Sequence, residues 1–271
     1  MDDRVARIAS IANVQAYNSH MVQKYVDGAP HVKHASLRAL YSRILIQVFD
    51  NAVRYSSIPR VLDLGAGEGS VTRSFLELGA SVVAVDISEY QLNELKDKCK
   101  HYGERLEIYC DDVNSALENL EGKFDVVVAN SFLHHVPDYI SFIKSSVSVL
   151  GEHGQFFSFQ DPLKYRSLSH WERLFSDFAY LSWRVFRGDI MGGVARRLRR
   201  KKGIYLDDSV EDNSEYHVVR GGVDQDAIWG VLDGEGFDCD VISYFSTQSR
   251  VFQPVGTILG VKNTFSVVAV K

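Results

Sequence analysis

The chain has 271 residues, of which 45% are hydrophobic and 24% are charged, and its formal net charge is −5. These proportions are those of an ordinary globular protein, and the negative charge argues against a nucleic-acid partner. No apolar run approaches the roughly 18 residues of a membrane span, and the first ten residues lack the apolar core of a signal peptide. Cys99, Cys110 and Cys239 lie far apart, so we predict neither a disulfide framework nor a zinc site. We expect a soluble, cytoplasmic protein.

The first regular element is an amphipathic helix at about residues 35–53, where apolar residues recur at helical spacing. Short β-rich runs then alternate with helical segments, at 61–64, 81–86, 106–110, 124–130 and 155–159. Most of these runs are apolar on both faces, which is typical of parallel strands covered on both sides. One helix opens with Ser88 and Gln91 at capping-box spacing, and another extends to Leu150 before a stop at Gly151. This alternation predicts an α/β fold with a doubly wound, mostly parallel sheet.

The alternation ends after Gln160. Residues 161–220 contain an aromatic helical stretch, 171–185, and then the basic run RRLRRKK at 196–202. The aromatic stretch fits the wall of an apolar pocket or a core helix. The basic run fits a solvated face, a site for an anionic acceptor or a contact with acidic lipids. A helix near 224–233 and two strands at 239–245 and 265–270 follow, and the strands resemble antiparallel partners.

We therefore expect four parts. These are a helical arm and lid at 1–58, a ligand-binding core at 59–160, an inserted helical cap at 161–222, and a closing helix with antiparallel strands at 223–271.

The most informative segment is the glycine-rich turn after the first strand, VLDLGAGEG at 61–69. Glycines at a strand-to-helix turn let the backbone approach a ligand closely. Asp86 ends the next strand, where an acid can accept hydrogen bonds from the hydroxyls of a ribose. An NAD-linked oxidoreductase is the rival interpretation. The G-x-G-x-G spacing argues against it, as does Asp63, whose charge would repel a pyrophosphate and suits an ammonium or sulfonium ligand.

The ordered series DLGAGEG, Asp86, Asp111-Asp112 and FDVVVANSFLHHV resembles the motifs of class I S-adenosylmethionine-dependent methyltransferases. The resemblance covers about residues 59–160 and the closing strands. LHHV and VLGEHGQFFSFQDP look like the branch that methylates small molecules such as quinone precursors (ubiquinone and menaquinone biosynthesis), sugars and natural products.

The resemblance implies a seven-stranded Rossmann-like sheet with an antiparallel last strand and S-adenosylmethionine as cofactor. It also implies methyl transfer to a small molecule, with oxygen favoured over carbon or nitrogen as the acceptor atom. A protein that binds S-adenosylmethionine without methyl transfer, pericyclase-like or regulatory, is the alternative. The sequence leaves open whether the chain forms a homo-oligomer.

The resemblance also assigns cofactor contacts to residues at matching positions. They are Asp63, Gly65, Ala66, Gly67, Asn130 and Ser131 for the methionyl and sulfonium part, Asp86 and Ile87 for the ribose, and Asp111 or Asp112 with Val113 for the adenine. Tyr17 and Tyr25 in the arm are candidates to close over the cofactor, and the alternative is that both only anchor the arm.

A hydroxyl acceptor is helped by a general base, for which histidine is the usual residue. His217, at the far end of the cap, and His135, after the fourth strand of the core, are the candidates, with His31 and His34 as a third possibility. His134, His135 and Asp138 together lack a clear ligand geometry, so we predict no metal site.

Overall fold

The computed structural model describes residues 3–18, 30–187, 199–200 and 202–271, apart from the side chains of residues 3 and 185–187. The strands are β1 (Arg60–Leu64), β2 (Ser81–Asp86), β3 (Leu106–Cys110), β4 (Phe124–Asn130), β5 (Leu150–Pro162), β6 (Asp238–Tyr244) and β7 (Thr264–Val270). The α-helices are α1 (Asp3–Tyr17), α2 (Pro30–Lys33), α3 (Ala35–Ala52), α4 (Ser70–Leu78), α5 (Glu89–Cys99), α6 (Val113–Asn119), α7 (Tyr139–Ser148), α8 (His170–Arg187), α9 (Val210–Asn213), α10 (Tyr216–Arg220), α11 (Gln225–Gly234) and α12 (Phe252–Ile258).

Within the described residues, seven strands form one sheet in the order β3-β2-β1-β4-β5-β7-β6. All neighbours from β3 to β5 pair in parallel, whereas β7 runs antiparallel to both β5 and β6. The predicted doubly wound sheet with an antiparallel last strand is therefore confirmed. The strand order reverses between β1 and β4, and ligands of such sheets bind at that point, beyond the carboxyl ends of the strands.

Helices cover both faces of the central part of this sheet, which explains why β1, β2 and β4 are mostly buried, whereas the edge strands β3 and β6 are partly exposed. In β1, Leu62 and Leu64 belong to the layer that contains α6, α7 and α11. Val61 belongs to the opposite layer, which contains α3, α4 and α5. Because successive side chains of a strand point to opposite faces, both sets of residues are buried.

The boundary between α7 and β5 corrects one prediction. The helix ends at Ser148 rather than at a Gly151 stop, and Gly151 already belongs to β5. Leu150, predicted as helical, pairs with Phe124 of β4, and the register then shifts so that Val126 pairs with Gln155. The apolar spacing of Leu150 suits a buried position in either element, and its pairing with Phe124 selects the strand.

The aromatic stretch after β5 forms α8. Only Phe175 and Ala179 of its described residues are buried, and they pack with Phe245 and Val261 in a small separate cluster. The helix is therefore neither the predicted pocket wall nor an ordinary core helix, since most of its large apolar side chains are exposed. Among the described residues, no helix is long and apolar enough to cross a membrane.

Candidate functional site

The glycine turn after β1 is tied to β2 by backbone hydrogen bonds. The N–H groups of Gly65 and Ala66 both donate to the carbonyl of Val85, at 2.9 and 3.0 Å. Gly65 has a φ of +76°, and a Cβ at this position would overlap the ring of Phe132. Gly67 has a φ of +54°, and a Cβ there would meet no atom within 4 Å. The turn therefore needs glycine twice, once for lack of room and once for backbone conformation beside open space.

Asp86, at the end of β2, holds this turn through its carboxylate. Its Oδ2 accepts a hydrogen bond from the Gly67 N–H at 2.8 Å, and its Oδ1 accepts one from the Ser88 N–H at 2.8 Å. Burial raises the pKa of Asp86. The Ser88 hydroxyl caps α5 by accepting from the N–H of Gln91. The predicted capping box is thus only half formed, because the Ser88 N–H bonds to Asp86 instead of to the Gln91 side chain.

A cavity of about 590 Å³ opens at the carboxyl ends of β1, β2 and β4. It has the size of a small-molecule site and lies at the predicted edge of the sheet. The sequence-predicted residues that line it are Tyr17, Gly65, Ala66, Gly67, Asp86, Ile87, Asp112, Val113, Asn130, Ser131 and His135.

Asp63 lies beneath the turn and not on the cavity wall. Its Oδ2 accepts a hydrogen bond from the Thr72 hydroxyl at 2.6 Å, and its Oδ1 is buried without a hydrogen-bond partner. Burial raises the pKa of Asp63 to about 7. The hydroxyl of Tyr41, whose pKa is raised by burial and by the nearby Asp63 charge, is likewise buried without a partner. Two buried oxygens near the glycine turn therefore lack a hydrogen-bond partner in the protein.

The two candidates for the adenine contact, Asp111 and Asp112, have different surroundings in the structure. Asp112 lines the cavity and caps α6, where its Oδ1 accepts from the N–H of Asn114 at 3.0 Å. Asp111 is not among the lining residues, and its carboxylate accepts hydrogen bonds from the Asp112 N–H and the Ser115 hydroxyl. Val113 lines the cavity beside Asp112. The geometry therefore favours Asp112 over Asp111.

Asn130 and Ser131 form the wall that follows β4. Ser131 has a φ of +52°, which is rare for a residue other than glycine, and its N–H donates to the carbonyl of Phe159. The Oδ1 atom of Asn130 is buried without a partner. A buried carbonyl oxygen without a donor costs free energy, and a ligand that brings a donor would remove that cost.

Helix α1 covers the cavity from the arm. The carbonyl of Tyr17 accepts a hydrogen bond from the Ser88 hydroxyl at 3.2 Å, which fixes the end of α1 above the end of β2. Near the start of α1, Arg4 forms an ion pair with Asp207 of the cap at 2.6 Å. Tyr25, the other predicted arm residue, lies outside the described residues.

His135 lines the cavity next to the ring of Tyr17, with ring centroids 5.4 Å apart. Its Nδ1 bonds to the carbonyl of Ser214. Because a carbonyl only accepts, Nδ1 carries the hydrogen and Nε2 is the ring nitrogen with a free lone pair. Burial lowers the pKa of His135 to about 4. Behind it, at 4.1 Å between centroids, the His134 ring bonds through Nδ1 to the buried carboxylate of Asp161 at 2.8 Å.

His217, the other predicted base, is not among the cavity-lining residues. Its Nε2 donates to the carbonyl of Val136 at 3.0 Å, and its ring packs edge-on against Tyr139. Burial lowers its pKa. His217 therefore joins the cap to the segment after β4. No group of three or more histidine, cysteine or acidic residues in the described part of the chain is arranged to hold a metal ion.

Sequence reasoning gave little weight to His31 and missed Phe132. His31 lines the cavity, its Nδ1 is buried without a partner, and burial lowers its pKa to about 4. Its ring packs edge-on against Phe159 at 6.2 Å. Phe132 fills the space that the missing Cβ of Gly65 leaves. Phe132 could have been found from the sequence, because it lies between the Asn130-Ser131 pair and the histidines. No local sequence pattern indicates that His31 lines the cavity.

Comparison with known proteins agrees with this geometry. Residues 61–154 match the family model described as a methyltransferase domain. A ubiquinone biosynthesis O-methyltransferase from Idiomarina loihiensis is 30% identical over 98 residues, which are 36% of this chain and 40% of that protein. One from Xanthomonas euvesicatoria is 31% identical over 98 residues, or 41% of its length. The match thus spans well under half of these curated relatives.

Two solved structures extend the likeness to the whole sheet. The magnesium protoporphyrin IX methyltransferase from Synechocystis PCC 6803, with bound SAM, is 17% identical with a TM-score of 0.54, and the alignment covers 97% of both chains. The plantazolicin methyltransferase is 13% identical with a TM-score of 0.54, and the alignment covers 100% of this chain and 99% of the other. Residues 61–154 therefore resemble a methyltransferase domain, and the sheet that contains them shares the Rossmann-like fold of these two methyltransferase structures.

Proposed function

We propose that this chain transfers a methyl group from S-adenosylmethionine to a small-molecule acceptor. The observation that carries the proposal is the buried Oδ1 of Asn130, which belongs to a residue of the cavity wall and has no hydrogen-bond partner in the protein. An ammonium ligand suits this acceptor, because it brings the donors that the protein does not supply.

The remaining cofactor contacts follow from the order of the strands. Asp86 keeps lone pairs on both oxygens besides its two backbone hydrogen bonds, so it can accept from ribose hydroxyls beside Gly67. Asp112 and Val113, one strand further out, lie where the adenine would extend. The methionine part then lies between the glycine turn and Asn130, with Asp63 beneath the turn. We propose these roles for the residues as a set.

When bound, S-adenosylmethionine supplies a methyl group already activated by positive charge on sulfur. The chain contributes a fixed position for the acceptor and a space closed to water. Helix α1 performs the closure, since Tyr17 is fixed to Ser88 and Arg4 is paired with Asp207 of the cap. We accordingly propose the arm at 1–58 as the lid, 59–160 as the cofactor core, 161–222 as the cap and 223–271 as the closing part of the sheet.

We further propose that the acceptor atom is the oxygen of a hydroxyl group, as the name of the O-methyltransferase relatives suggests. His135 supports this choice, because it lines the cavity and its Nε2 has a free lone pair. It can therefore accept the hydrogen bond of a hydroxyl. A phenolic molecule from quinone-type or natural-product metabolism is the acceptor class that we propose.

The first test is calorimetric titration of the purified chain with S-adenosylhomocysteine and, separately, with NAD. Binding of the first ligand alone supports the cofactor assignment, and binding of NAD alone contradicts it. Methyl transfer is then measured with S-adenosylmethionine labelled on the methyl group and panels of phenols, amines and carbon acids. Tight cofactor binding without a labelled product in any panel would favour the alternative, a protein that binds S-adenosylmethionine without methyl transfer.

A further inference from the structure

Helix α8 presents a continuous apolar stripe to solvent. Trp171, Leu174, Phe178 and Leu181 follow one another at intervals of three, four and three residues, so they lie on one side of the helix. Their exposed fractions are 56%, 65%, 59% and 45%. Large apolar residues are normally exposed singly, and a row of four on one helix marks an interaction surface.

Helix α12 and its flanking residues carry a second exposed apolar row. Val251, Val255, Ile258 and Leu259 are exposed by 69%, 41%, 84% and 54%. The opposite side of the helix is buried through Gln253 and Gly256. Gly256 packs closely against the ring of Phe245, which a Cβ at this position would overlap.

The two rows meet at the ring of Phe252. It packs edge-on against Phe178 of the exposed stripe at 5.4 Å, and against the buried Phe175 at 6.0 Å. The eight exposed residues of the two rows therefore form one surface, which we call the α8–α12 face. Among the described residues, the cavity lining includes no side chain of α8 or α12, so a partner on this face leaves the cavity walls uncovered.

Basic residues stand at the edges of this face. Arg250 and Lys262, both exposed, flank the α12 row on either side, and residues 241–271 contain no aspartate or glutamate. On α8, Glu172 accepts hydrogen bonds from Ser169 and from the backbone N–H of Lys262, and Ser169 and the charge of Lys262 lower its pKa, so this carboxylate offsets part of the Lys262 charge. This basic border contrasts with the net charge of −5 of the whole chain. Long basic side chains at the rim of an apolar surface can lay their stems on it and direct their charges outward.

The basic run at 196–202 contributes less unpaired positive charge than its sequence suggests. Arg199 and Arg200, two of its described members, form ion pairs with the buried carboxylate of Asp212 at 2.6 and 2.7 Å. These two side chains stabilise the cap. The charge argument for the α8–α12 face therefore depends on Arg250 and Lys262.

We propose that the α8–α12 face binds the surface of a lipid bilayer that contains acidic lipids. Exposed aromatic and aliphatic side chains enter the boundary between headgroups and acyl chains, and neighbouring basic residues are attracted to anionic headgroups. A two-fold dimer through the same face is less favourable, because it would bring two copies of the basic border toward one axis. The proposal does not depend on the identity of the methyl acceptor.

The test is co-sedimentation of the full chain with vesicles of phosphatidylcholine alone and of phosphatidylcholine mixed with phosphatidylglycerol, at low and high salt. The test variant carries Leu174→Glu and Ile258→Glu, both at strongly exposed positions of the face. The matched control carries Ile46→Glu and Ile58→Glu, which add the same charge at positions that are 45% and 56% exposed and lie outside the face. Thermal unfolding of all three proteins verifies the fold.

We expect binding to the acidic vesicles that salt weakens, a loss of at least about tenfold in the test variant, and little change in the control. Equal sedimentation of the test variant and the wild type would overturn the proposal, as would the absence of sedimentation with either vesicle. Light scattering coupled to gel filtration addresses the dimer. If the wild type is a dimer that the test variant dissociates, and acidic vesicles capture neither protein, the face is an interface between two copies and the lipid assignment is wrong.

Discussion

The carboxylate of Asp86, at the end of β2, holds the glycine turn after β1 by accepting a 2.8 Å hydrogen bond from the backbone N–H of Gly67. The residue that we propose for the ribose contact is therefore also a structural support of the turn that we propose for the methionine part. Its replacement should affect both ligand binding and the turn.

Asp86→Ala should weaken the binding of S-adenosylhomocysteine by about tenfold to a hundredfold, since hydrogen bonds to a charged group contribute about 1.5–3 kcal/mol each. It also leaves the N–H groups of Gly67 and Ser88 without their acceptor. Titration calorimetry measures the affinity. Asp97→Ala, on the exposed side of α5, is the control and should bind like the wild type. Unchanged affinity of Asp86→Ala would contradict the ribose assignment.

Glycine-to-alanine substitutions can distinguish the effect of backbone strain from the loss of a ligand contact. Gly65→Ala should destabilise the protein strongly, because its Cβ would overlap the ring of Phe132 at a positive φ. Gly67→Ala and Gly260→Ala are at φ values of +54° and +66° with no atom within 4 Å of the added Cβ, so each should cost only about 1 kcal/mol of backbone strain.

Of this pair, Gly67 lines the cavity and Gly260 does not. We therefore expect Gly67→Ala to lose affinity for S-adenosylhomocysteine while Gly260→Ala keeps it, both with similar thermal unfolding temperatures. Equal affinities in the two variants would show that the ligand does not approach the Gly67 backbone.

The strands were predictable because burial on both faces leaves a strong sequence pattern. The bounds of β2 and β4 agree with the predicted runs, since a short apolar run between turn signals is typical of a buried strand. The choice between Asp111 and Asp112 could not be predicted, because both follow the same strand. It depends on which carboxylate caps α6 and faces the cavity, and that is set by the packing of α6 in three dimensions.

Prediction from the sequence was also wrong where one residue pattern is compatible with two environments. The spacing of the α8 side chains indicates a face that avoids water, and from sequence such a face is normally assigned to the core. The structure exposes most of it, since the cluster around Phe175 is too small to cover the stripe. The catalytic role of His217 stays a prediction, and its hydrogen bond to the carbonyl of Val136 was not predicted. Such a contact between distant segments leaves no trace in local sequence.

Burial of Asp63 should make the stability of the protein depend on pH. Its pKa is about 7 in the folded state and 3.8 in the ordinary reference state, so the folded protein retains a proton that the unfolded chain has lost between these values. The stabilisation is fully present below about pH 4 and is lost as the pH rises through 7, by at most about 1.4 kcal/mol per pH unit.

Asp63→Asn keeps an oxygen that can accept from the Thr72 hydroxyl and removes the titrating group. Urea unfolding between pH 4 and pH 8 should therefore show a flatter profile for the variant than for the wild type, and the difference between the two curves isolates Asp63. Parallel curves would indicate that Asp63 is ionised in the folded protein throughout this range.

The buried pair of His134 and Asp161 should stabilise the segment after β4. The Oδ1 atom of Asp161 bonds to the backbone N–H of His134 at 3.1 Å and to its ring at 2.8 Å. Asp161→Ala leaves both groups buried without an acceptor, and removal of one partner of such a pair typically costs about 3–5 kcal/mol. His134→Ala combined with Asp161→Ala should cost less than the sum of the single changes. Additive effects in this double-mutant cycle would show that the pair does not interact in solution.

The two histidines proposed as bases should differ in their effect on the reaction. His135→Asn should lower kcat for a hydroxyl acceptor by about a hundredfold or more, since removal of a positioned base typically has that effect, and should leave KM for the cofactor nearly unchanged. His217→Asn should lower the unfolding temperature, because His217 joins the cap to Val136, and should change kcat less. Because the pKa of His135 is about 4, its ring stays neutral, and the rate should not fall from this group between pH 8 and pH 5. A larger loss of kcat in His217→Asn than in His135→Asn, with both proteins folded, would reverse the assignment.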